Sequence, residues 1–323
     1  MMTATLGSFK ETQEILAEQG CRLDIKTIRR VAYRAAGRVR LMQQMGNYGF
    51  SKQDSLAGRR VAISSDGGRL RLREKKRGPK TAKGRTRYNG AWREPKLFII
   101  YAVDENGKQR KDYPPLIDGG MQDPDTLFAL LQNYLDQMDI QQADQILLVS
   151  DGARWIWNRL PSLVKNLGLD VQRIFFLVDF YHAVQHLHDV AALRKNWSAK
   201  ARKRWCNKQR KLLYQGKIDQ VIQAIRSLCR GRNSKSIRTE LRYFIKHRTH
   251  MAYDVLLNSK LPIGSGAIES AIRRVVNLRL KGPSIFWNKQ NADALLLLRV
   301  YYKSGRWNQL KSLAFSPSVA LAP

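Results

Sequence analysis

Acidic residues are scarce in this chain of 323 residues, which has 26 Asp and Glu against 58 Lys and Arg and a formal net charge of +32. Such a surplus repels itself unless a polyanion neutralises it, and the usual soluble polyanion is nucleic acid. The composition therefore predicts a nucleic acid as the partner.

Long apolar runs and paired cysteines are missing as well. The runs LFIIYAV and ALLLL are too short to span a bilayer, and the first twenty residues hold no apolar signal core. The three cysteines, Cys21, Cys206 and Cys229, have no CxxC spacing, which argues against a disulfide framework or a cysteine zinc site. We expect no membrane partner and a cytoplasmic, nucleoid-associated protein.

The N-terminal region has the pattern of two helices. Residues 10–19 form the first, which Gly20 stops, and residues 25–44 form a basic second helix with apolar positions at Ile25, Ile28, Val31 and Ala35. A helix, a short turn and a basic helix are typical of a helix-turn-helix segment, although two ordinary amphipathic helices fit the pattern too. We assign residues 1–55 to DNA binding, with three candidate contacts, Arg29, Arg30 and Arg34.

The middle of the chain has β-type patterns. RRVAISSD is followed by the alternating run RLRLRE, a basic loop over residues 75–96, KLFIIYAV and the strand-like DYPPLI. A helix PDTLFALLQNYLDQM, a strand QILLVSD, a helix over 153–167 interrupted by Pro161, and a strand RIFFLVD come next. Three strands joined by hairpins and then alternating helices and strands predict a mixed α/β sheet.

Residues 181–257 are helical in pattern and very basic. Between Arg194 and Arg248 there are 18 Lys and Arg against two acids, Asp219 and Glu240, which gives half of the net charge. Further helices follow GSG at 264–266 and start again near WNKQ, and FSPSVALAP at the C-terminus is expected to be loose.

Two aspartates end predicted buried strands. Asp66 and Asp151 are each followed by glycine, which lets a phosphodiester backbone come close. Ligands of α/β sheets bind at this edge, and metal-dependent phosphoryl transfer needs two or three carboxylates around its ions. For a single Asp-Gly, a turn or helix cap is the commoner interpretation. Two such sites in so basic a protein favour a metal site.

Glu269 stands alone in a basic stretch, LPIGSGAIESAIRRVVNLRLKG. It borders the apolar stripe of Ile268, Ile272 and Val275, between core and surface. From the residues alone, an ion pair with Arg273 one turn later and a metal ligand remain equal alternatives.

Weaker signals lie elsewhere. His182, His186 and His188 lack the glutamate and third ligand of a zinc helix, so we expect a structural or DNA-contacting cluster. KKRGPK, with Lys76, Arg77 and Lys80, is a candidate minor-groove contact, although such loops are usually solvated or bind phosphates. The tryptophans are mostly expected in the core, and Trp287, beside a glycine-proline loop, is the candidate for stacking on an unpaired base.

The motifs AISSDGG, LLVSDGARWIW, VDFYHAVQHL and GSGAIESAIRRV come in a characteristic order, with 118 residues between Asp151 and Glu269. In this order the chain resembles the bacterial insertion-sequence DDE transposases whose RNase H-like core is interrupted by an all-α insertion, as in the hAT and Mutator-like groups. The resemblance covers residues 15–305. DFYH looks like their C/DxxH motif, here Asp179 and His182. Many members have Lys or Arg seven residues after the glutamate, where this chain has Val276, with Arg273 and Arg274 nearby.

The resemblance implies an RNase H-like mixed sheet with flanking helices, divided between residues 56–190 and 258–310 by a basic all-α insertion at 191–257, with a loose tail at 311–323. Asp66, Asp151 and Glu269 would hold two Mg²⁺ or Mn²⁺ ions. The implied activity is cleavage of double-stranded DNA at element ends, without a covalent protein–DNA intermediate, and strand transfer to target DNA. A homodimer or larger assembly is expected, because two ends are cut together.

Further DNA contacts are expected on the insertion and beside the glutamate. The candidates are Arg202, Lys203, Arg204, Arg273 and Arg274. Two alternatives remain open: a domesticated or truncated DNA-binding protein without catalysis, and an RNase H-like nuclease or resolvase acting on branched or hybrid nucleic acid.

Overall fold

A five-stranded mixed sheet lies at the centre of the protein, in a computed structural model that describes residues 1–230 and 234–316. The strands of the described residues are β1 (Arg60–Gly67), β2 (Leu70–Lys75), β3 (Tyr88–Arg93), β4 (Lys96–Val103), β5 (Leu116–Gly120), β6 (Gln145–Ser150) and β7 (Ile174–Val178). The sheet order is β5-β4-β1-β6-β7, in which β4 is antiparallel to β1 and β5, and β6 is parallel to β1 and β7. The predicted mixed α/β sheet is confirmed.

The central strands are the ones with nearly continuous apolar sequence. β4, KLFIIYAV, is buried from its second residue to its last, and β6, QILLVS, is buried after its first residue. A strand covered on both faces needs such a run, because neither face meets water.

The run RLRLRE and the basic segment after it are arranged differently from the prediction. β1 pairs with β4, with Asp66 opposite Leu97, while β2 leaves the sheet and pairs antiparallel with β3 in a separate two-stranded sheet. The prediction that 75–96 is only a loop was therefore wrong, as was the prediction that RLRLRE is a hairpin strand of the main sheet. Charged side chains at every second position let β2 bury only one face.

Helices cover the sheet after β5 and β6. They are α4 (Pro124–Gln137), α5 (Arg154–Trp157) and α6 (Leu160–Asn166). Asp123 caps α4 by accepting a hydrogen bond from the Thr126 N–H at 3.0 Å, and Pro124 begins the helix, where its missing N–H has no consequence. Pro161 lies in the first turn of α6, so the predicted interruption of 153–167 is confirmed.

The N-terminal helices are α1 (Met2–Leu6), α2 (Phe9–Glu18) and α3 (Ile25–Gln44). The buried face of α3 follows Ile28, Ala32, Ala35 and Val39, whereas Val31, expected in the apolar stripe, is 45 % exposed. Successive residues of a helix point about 100° apart, so Val31 faces solvent when Ala32 faces the core.

A buried ion pair fastens α3 to the sheet. Arg40 lies 3.2 Å from the Asp118 carboxylate on β5 and 3.5 Å from Asp293. The Asp118 carboxylate also accepts hydrogen bonds from Gln43 at 2.8 Å and Tyr134 at 2.5 Å. The N-terminal helices are thus packed on the α/β core.

The basic region after β7 is helical, as predicted. Its helices are α7 (Phe180–Ala192), α8 (Ala199–Tyr214), α9 (Ile218–Arg226), α10 (Ser234–Lys246) and α11 (Tyr253–Asn258). α9 shows the common pattern, because Ile218, Val221, Ile222 and Ile225 are buried on one face.

The chain then returns to the sheet. This last part comprises α12 (Gly266–Ile272), a π-helical turn (Arg273–Asn277), α13 (Leu278–Leu280), α14 (Lys289–Lys303) and α15 (Trp307–Phe315). Because α15 buries Leu310, Leu313 and Ala314, the predicted loose tail was wrong for residues 311–315. Residues 317–323 lie outside the described residues. Among those described, no helix is long and apolar enough to cross a membrane.

Candidate active site

Asp66 and Asp151 lie at the same edge of the sheet. Asp66 is the last residue but one of β1, and Asp151 directly follows β6. The two strands are parallel neighbours, so their carboxyl ends point the same way. Hydrogen bonds hold them together at this point, since the Ser150 hydroxyl donates to the Ser65 carbonyl at 3.1 Å and accepts from the Ser65 N–H at 3.4 Å.

Helix α12 brings Glu269 to this edge. The helix packs on β1 and β4 through its buried side, which includes Ile268, Ala271 and Ile272, and Glu269 is exposed beside it. In the described residues no ion pair joins Glu269 to Arg273. The surface ion pair, one of the two interpretations of this glutamate, is therefore not observed.

The electrostatics of Asp66 reflect the convergence of the acids. Burial raises the pKa of the Asp66 carboxyl to about 6, and the nearby carboxylates of Asp151, Glu269 and Glu94 act in the same direction. The Gly67 N–H, which donates to Asp66 Oδ1 at 2.6 Å, opposes the rise. Acidic side chains thus gather at one edge of the sheet, in a protein with a large positive surplus.

Glu94 is a fourth acid, which the motif reasoning missed. Its side chain lies against Gly67, and its carboxylate pairs with Lys96 Nζ at 3.0 Å. The signal in the sequence was its position just before β4: because β4 runs antiparallel to β1, the start of β4 lies beside the end of β1.

Asp179 holds the chain segment that leads into the glutamate helix. It is 1 % exposed and caps α7 by accepting a hydrogen bond from the His182 N–H at 2.7 Å. Its other oxygen accepts from the Ser265 N–H and from the Ser265 hydroxyl, the latter at 2.6 Å. Phe180 N–H adds a bond to the Ile263 carbonyl at 2.9 Å. Asp179 therefore ties the end of β7 to the start of α12, 86 residues later in the chain.

Two of the three histidines of α7, His182 and His186, face α10, and His188 is exposed. His186 Nδ1 lies 2.6 Å from Glu240 Oε2, and the His186 ring stacks on Tyr243 at 3.7 Å between centroids. Asp189 completes a group of His, Asp and Glu whose ligand atoms all lie within 4.8 Å of one another. His182 is exposed, with its ring 5.0 Å from that of His186. The cluster links α7 to α10, as the structural interpretation expects.

The basic insertion reaches the acidic edge through Tyr243. A Cβ added to Gly152 would lie 2.5 Å from Tyr243 Cε2, so the glycine after Asp151 is needed for the close approach of α10. Burial raises the pKa of Tyr243, and the charges of Asp151, Asp179 and Glu240 add to the rise. The Tyr243 hydroxyl is buried and has no hydrogen-bond partner in the described part of the chain. α10 therefore forms one wall of the site.

Most of the expected DNA contacts are on the surface. The exposed ones are Arg29, Arg30, Arg34, Lys76, Arg77, Lys80, Lys203, Arg204 and Arg273. Arg202 is half-buried and donates to the Arg194 carbonyl at 3.2 Å. The structure brings Asp66, Asp151 and Glu269 together. The exposed basic residues lie on the N-terminal helices, the β2–β3 hairpin and the insertion, except Arg273, which directly follows α12.

The π-helical turn after α12 explains why Val276 stands where many DDE transposases have Lys or Arg. Arg299, 2 % exposed, donates Nε–H to the Val275 carbonyl at 2.7 Å and reaches the Arg274 and Thr5 carbonyls with its other nitrogens. A buried guanidinium bonded to helix carbonyls stabilises the widened turn. Val276 is fully buried over Gly68, so a charged residue does not fit there.

Trp287, expected to stack on a base, is half-buried. Its indole N–H donates to the Leu280 carbonyl at 2.8 Å, and Arg279 lies over the ring at 5.3 Å. Trp92 and Tyr88 on β3 are more exposed, at 48 % and 43 %.

Comparison of the chain with protein-family models, with curated proteins and with solved structures finds no match.

Proposed function

We propose that the protein is a DDE-type transposase that cuts double-stranded DNA at the ends of a mobile element and joins the resulting strand to target DNA. The observation that carries the proposal is the convergence of Asp66, Asp151 and Glu269, three acids from distant parts of the chain, at one edge of the sheet. Setting the β2–β3 hairpin aside, the strand and helix order β1-β4-β5-α4-β6-α6-β7 supports an RNase H-like core.

The acidic edge fits divalent cations. Asp66 gains a proton more readily than an ordinary aspartate because burial and its acidic neighbours disfavour its charge. A divalent cation would relieve the same repulsion, and carboxylate oxygens are the ligands that Mg²⁺ and Mn²⁺ prefer. Asp66, Asp151 and Glu269 are therefore the residues that would hold two such ions, with Glu94 at their border.

When bound, the ions would activate the attacking oxygen and stabilise the leaving oxygen of a phosphodiester. The protein's own contribution is position. The serine pair fixes β1 against β6, and Asp179 fixes the start of α12. The exposed basic side chains of the N-terminal helices, the β2–β3 hairpin and the insertion would supply sequence-independent phosphate contacts.

The test is cleavage of a linear duplex that carries the chromosomal DNA from both sides of the gene, with Mg²⁺. Asp66→Ala and Glu269→Ala should each reduce cleavage to background while leaving DNA affinity within twofold. Matched controls are Asp136→Ala on the exposed side of α4 and Glu18→Ala at the end of α2, which should both cut normally.

A sulfur substitution at the scissile phosphate makes the test sharper. Slow cleavage with Mg²⁺ and restored cleavage with Mn²⁺ is expected if an ion contacts that phosphate, because Mn²⁺ accepts softer ligands. Efficient cutting by either alanine variant would contradict the assignment of the three acids. Tight binding without cutting would favour a non-catalytic DNA-binding protein, and cutting confined to branched or hybrid substrates would favour a nuclease or resolvase.

A further inference from the structure

The hairpin formed by β2 and β3 presents a face of cationic and aromatic side chains. In its register Arg71 lies opposite Trp92, Arg73 opposite Gly90 and Lys75 opposite Tyr88, so these pairs share one face. The other face holds Leu70 and Leu72, which are buried, and the ion pair of Glu74 with Arg93. The hairpin is therefore anchored by one face and open on the other.

The open face is a cluster of rings with guanidinium and ammonium groups among them. Arg71 lies 5.4 Å from the Trp92 centroid and 4.5 Å from that of Phe286, and Arg73 lies 4.8 Å from that of Tyr88. Lys281 Nζ is 6.0 Å from the Trp92 centroid. We call this cluster the aromatic platform; it comprises Arg71, Arg73, Tyr88, Trp92, Lys281 and Phe286.

The segment before α14 packs against the platform. A Cβ added to Gly90 would lie 2.6 Å from Phe286 Cε1, so the glycine makes room for this ring on the open face. Trp287 next to it forms a single parallel bridge with β2: its N–H donates to the Arg71 carbonyl at 2.9 Å, and its carbonyl accepts from the Arg73 N–H at 2.8 Å. The segment before α14 thus fixes the hairpin to the core.

The platform is also close to the acids along the chain. Asp66 and Arg71 are five residues apart, at most about 17 Å along an extended chain. At roughly 3.4 Å per nucleotide of a stacked strand, this distance corresponds to about five nucleotides. A strand whose phosphate lies at the acids can therefore reach the platform.

We propose that the aromatic platform binds unpaired nucleotides of a DNA strand next to the cleavage site, by stacking bases on Trp92 and Tyr88. Basic side chains alone are enough for phosphates, whereas exposed aromatic rings interleaved with arginines are typical of surfaces that bind unpaired bases. The inference rests on the proposed function for the identity of the nucleic acid and adds the form of the strand next to the acids.

The experiment measures binding without cleavage. Fluorescence anisotropy in EDTA, with an Asp66→Asn background, would compare a blunt duplex with the same duplex carrying a six-nucleotide single-stranded flank. Trp92→Ala and Tyr88→Ala should each weaken binding of the flanked DNA about 5- to 150-fold, and that of the blunt duplex less than twofold. The salt dependence should stay the same, because no phosphate contact is lost.

Controls separate stacking from folding. Trp92→Phe, which keeps a ring, should retain most of the affinity, and Tyr214→Ala, at an equally exposed tyrosine on α8, should have no effect. Equal loss for both DNAs, or no loss for either, would overturn the proposal. If the protein cuts DNA normally with Mg²⁺ but Trp92→Ala does not change binding of the flanked DNA, the platform proposal alone is overturned. If Trp92→Ala weakens binding of the flanked DNA but the protein cuts no DNA, the transposase proposal alone is overturned.

Discussion

Asp66→Asn should make the metal-free protein more stable at neutral pH, although it removes a residue of the proposed active site. The amide can still accept the Gly67 hydrogen bond, and it carries no charge beside Asp151 and Glu269. Wild-type protein, in contrast, has to ionise a carboxyl whose pKa is about 6 in the folded state.

The magnitude follows from the difference in proton binding. An unfolded aspartate has a pKa of about 3.9, so the folded state holds the proton more tightly by about two pKa units, at 1.36 kcal/mol each. Between about pH 4 and pH 6 the folded state binds more protons than the unfolded state, and stability falls as the pH rises through this window. Asp66→Asn should thus gain up to about 3 kcal/mol at pH 7 and nothing at pH 4.

The assay is urea unfolding in EDTA at pH 4, 5.5 and 7, with Asp136→Asn as the control at an exposed carboxylate. Added Mg²⁺ should stabilise wild-type protein, by about 2.7 kcal/mol at one hundred times its dissociation constant, and should stabilise Asp66→Asn much less. A variant that is no more stable than wild type at pH 7, or a gain that is equal at pH 4, would refute the electrostatic account of this edge.

Three other changes test the supports of the site. Asp118→Ala should lower the free energy of unfolding by about 3 kcal/mol in urea, because it removes the buried carboxylate that Arg40, Gln43 and Tyr134 share. Asp112→Ala, at an exposed ion pair, should cost under about 1 kcal/mol. Ser265→Ala should cost about 1 kcal/mol and slow DNA cleavage without weakening DNA binding, since the hydroxyl bond to Asp179 is lost; unchanged cleavage would contradict a positioning role. Burial lowers the pKa of His247 to about 4, so the contribution of His247 to stability should decline as the pH falls below about 6.5. His247→Phe should therefore gain stability relative to wild type as the pH is lowered from 7 to 4.5 in unfolding curves, and a stability difference that does not change with pH would contradict this.

The central strands were predictable because their sequences carry the signal. β1, β4 and β6 are apolar runs followed by turn residues, which is the pattern of strands buried on both faces. The hairpin was not, because YNGAWR has only a few apolar residues and its partner RLRLRE alternates like an ordinary edge strand. Strand pairing is decided by contacts between residues on different strands, and the periodicity of a single strand gives no information about these contacts.

The sequence by itself determined the strong positive charge, the strand-end positions of Asp66 and Asp151, and the helical nature of the region between Asp179 and Glu269. Only the tertiary structure decided that Glu269 joins the two aspartates, that Asp179 is a buried anchor, and that Trp92 takes the exposed place expected of Trp287. The physical reason is the separation of the residues along the chain. Composition and periodicity can be read from the sequence directly, whereas the meeting of the three acids depends on packing between segments more than 80 residues apart.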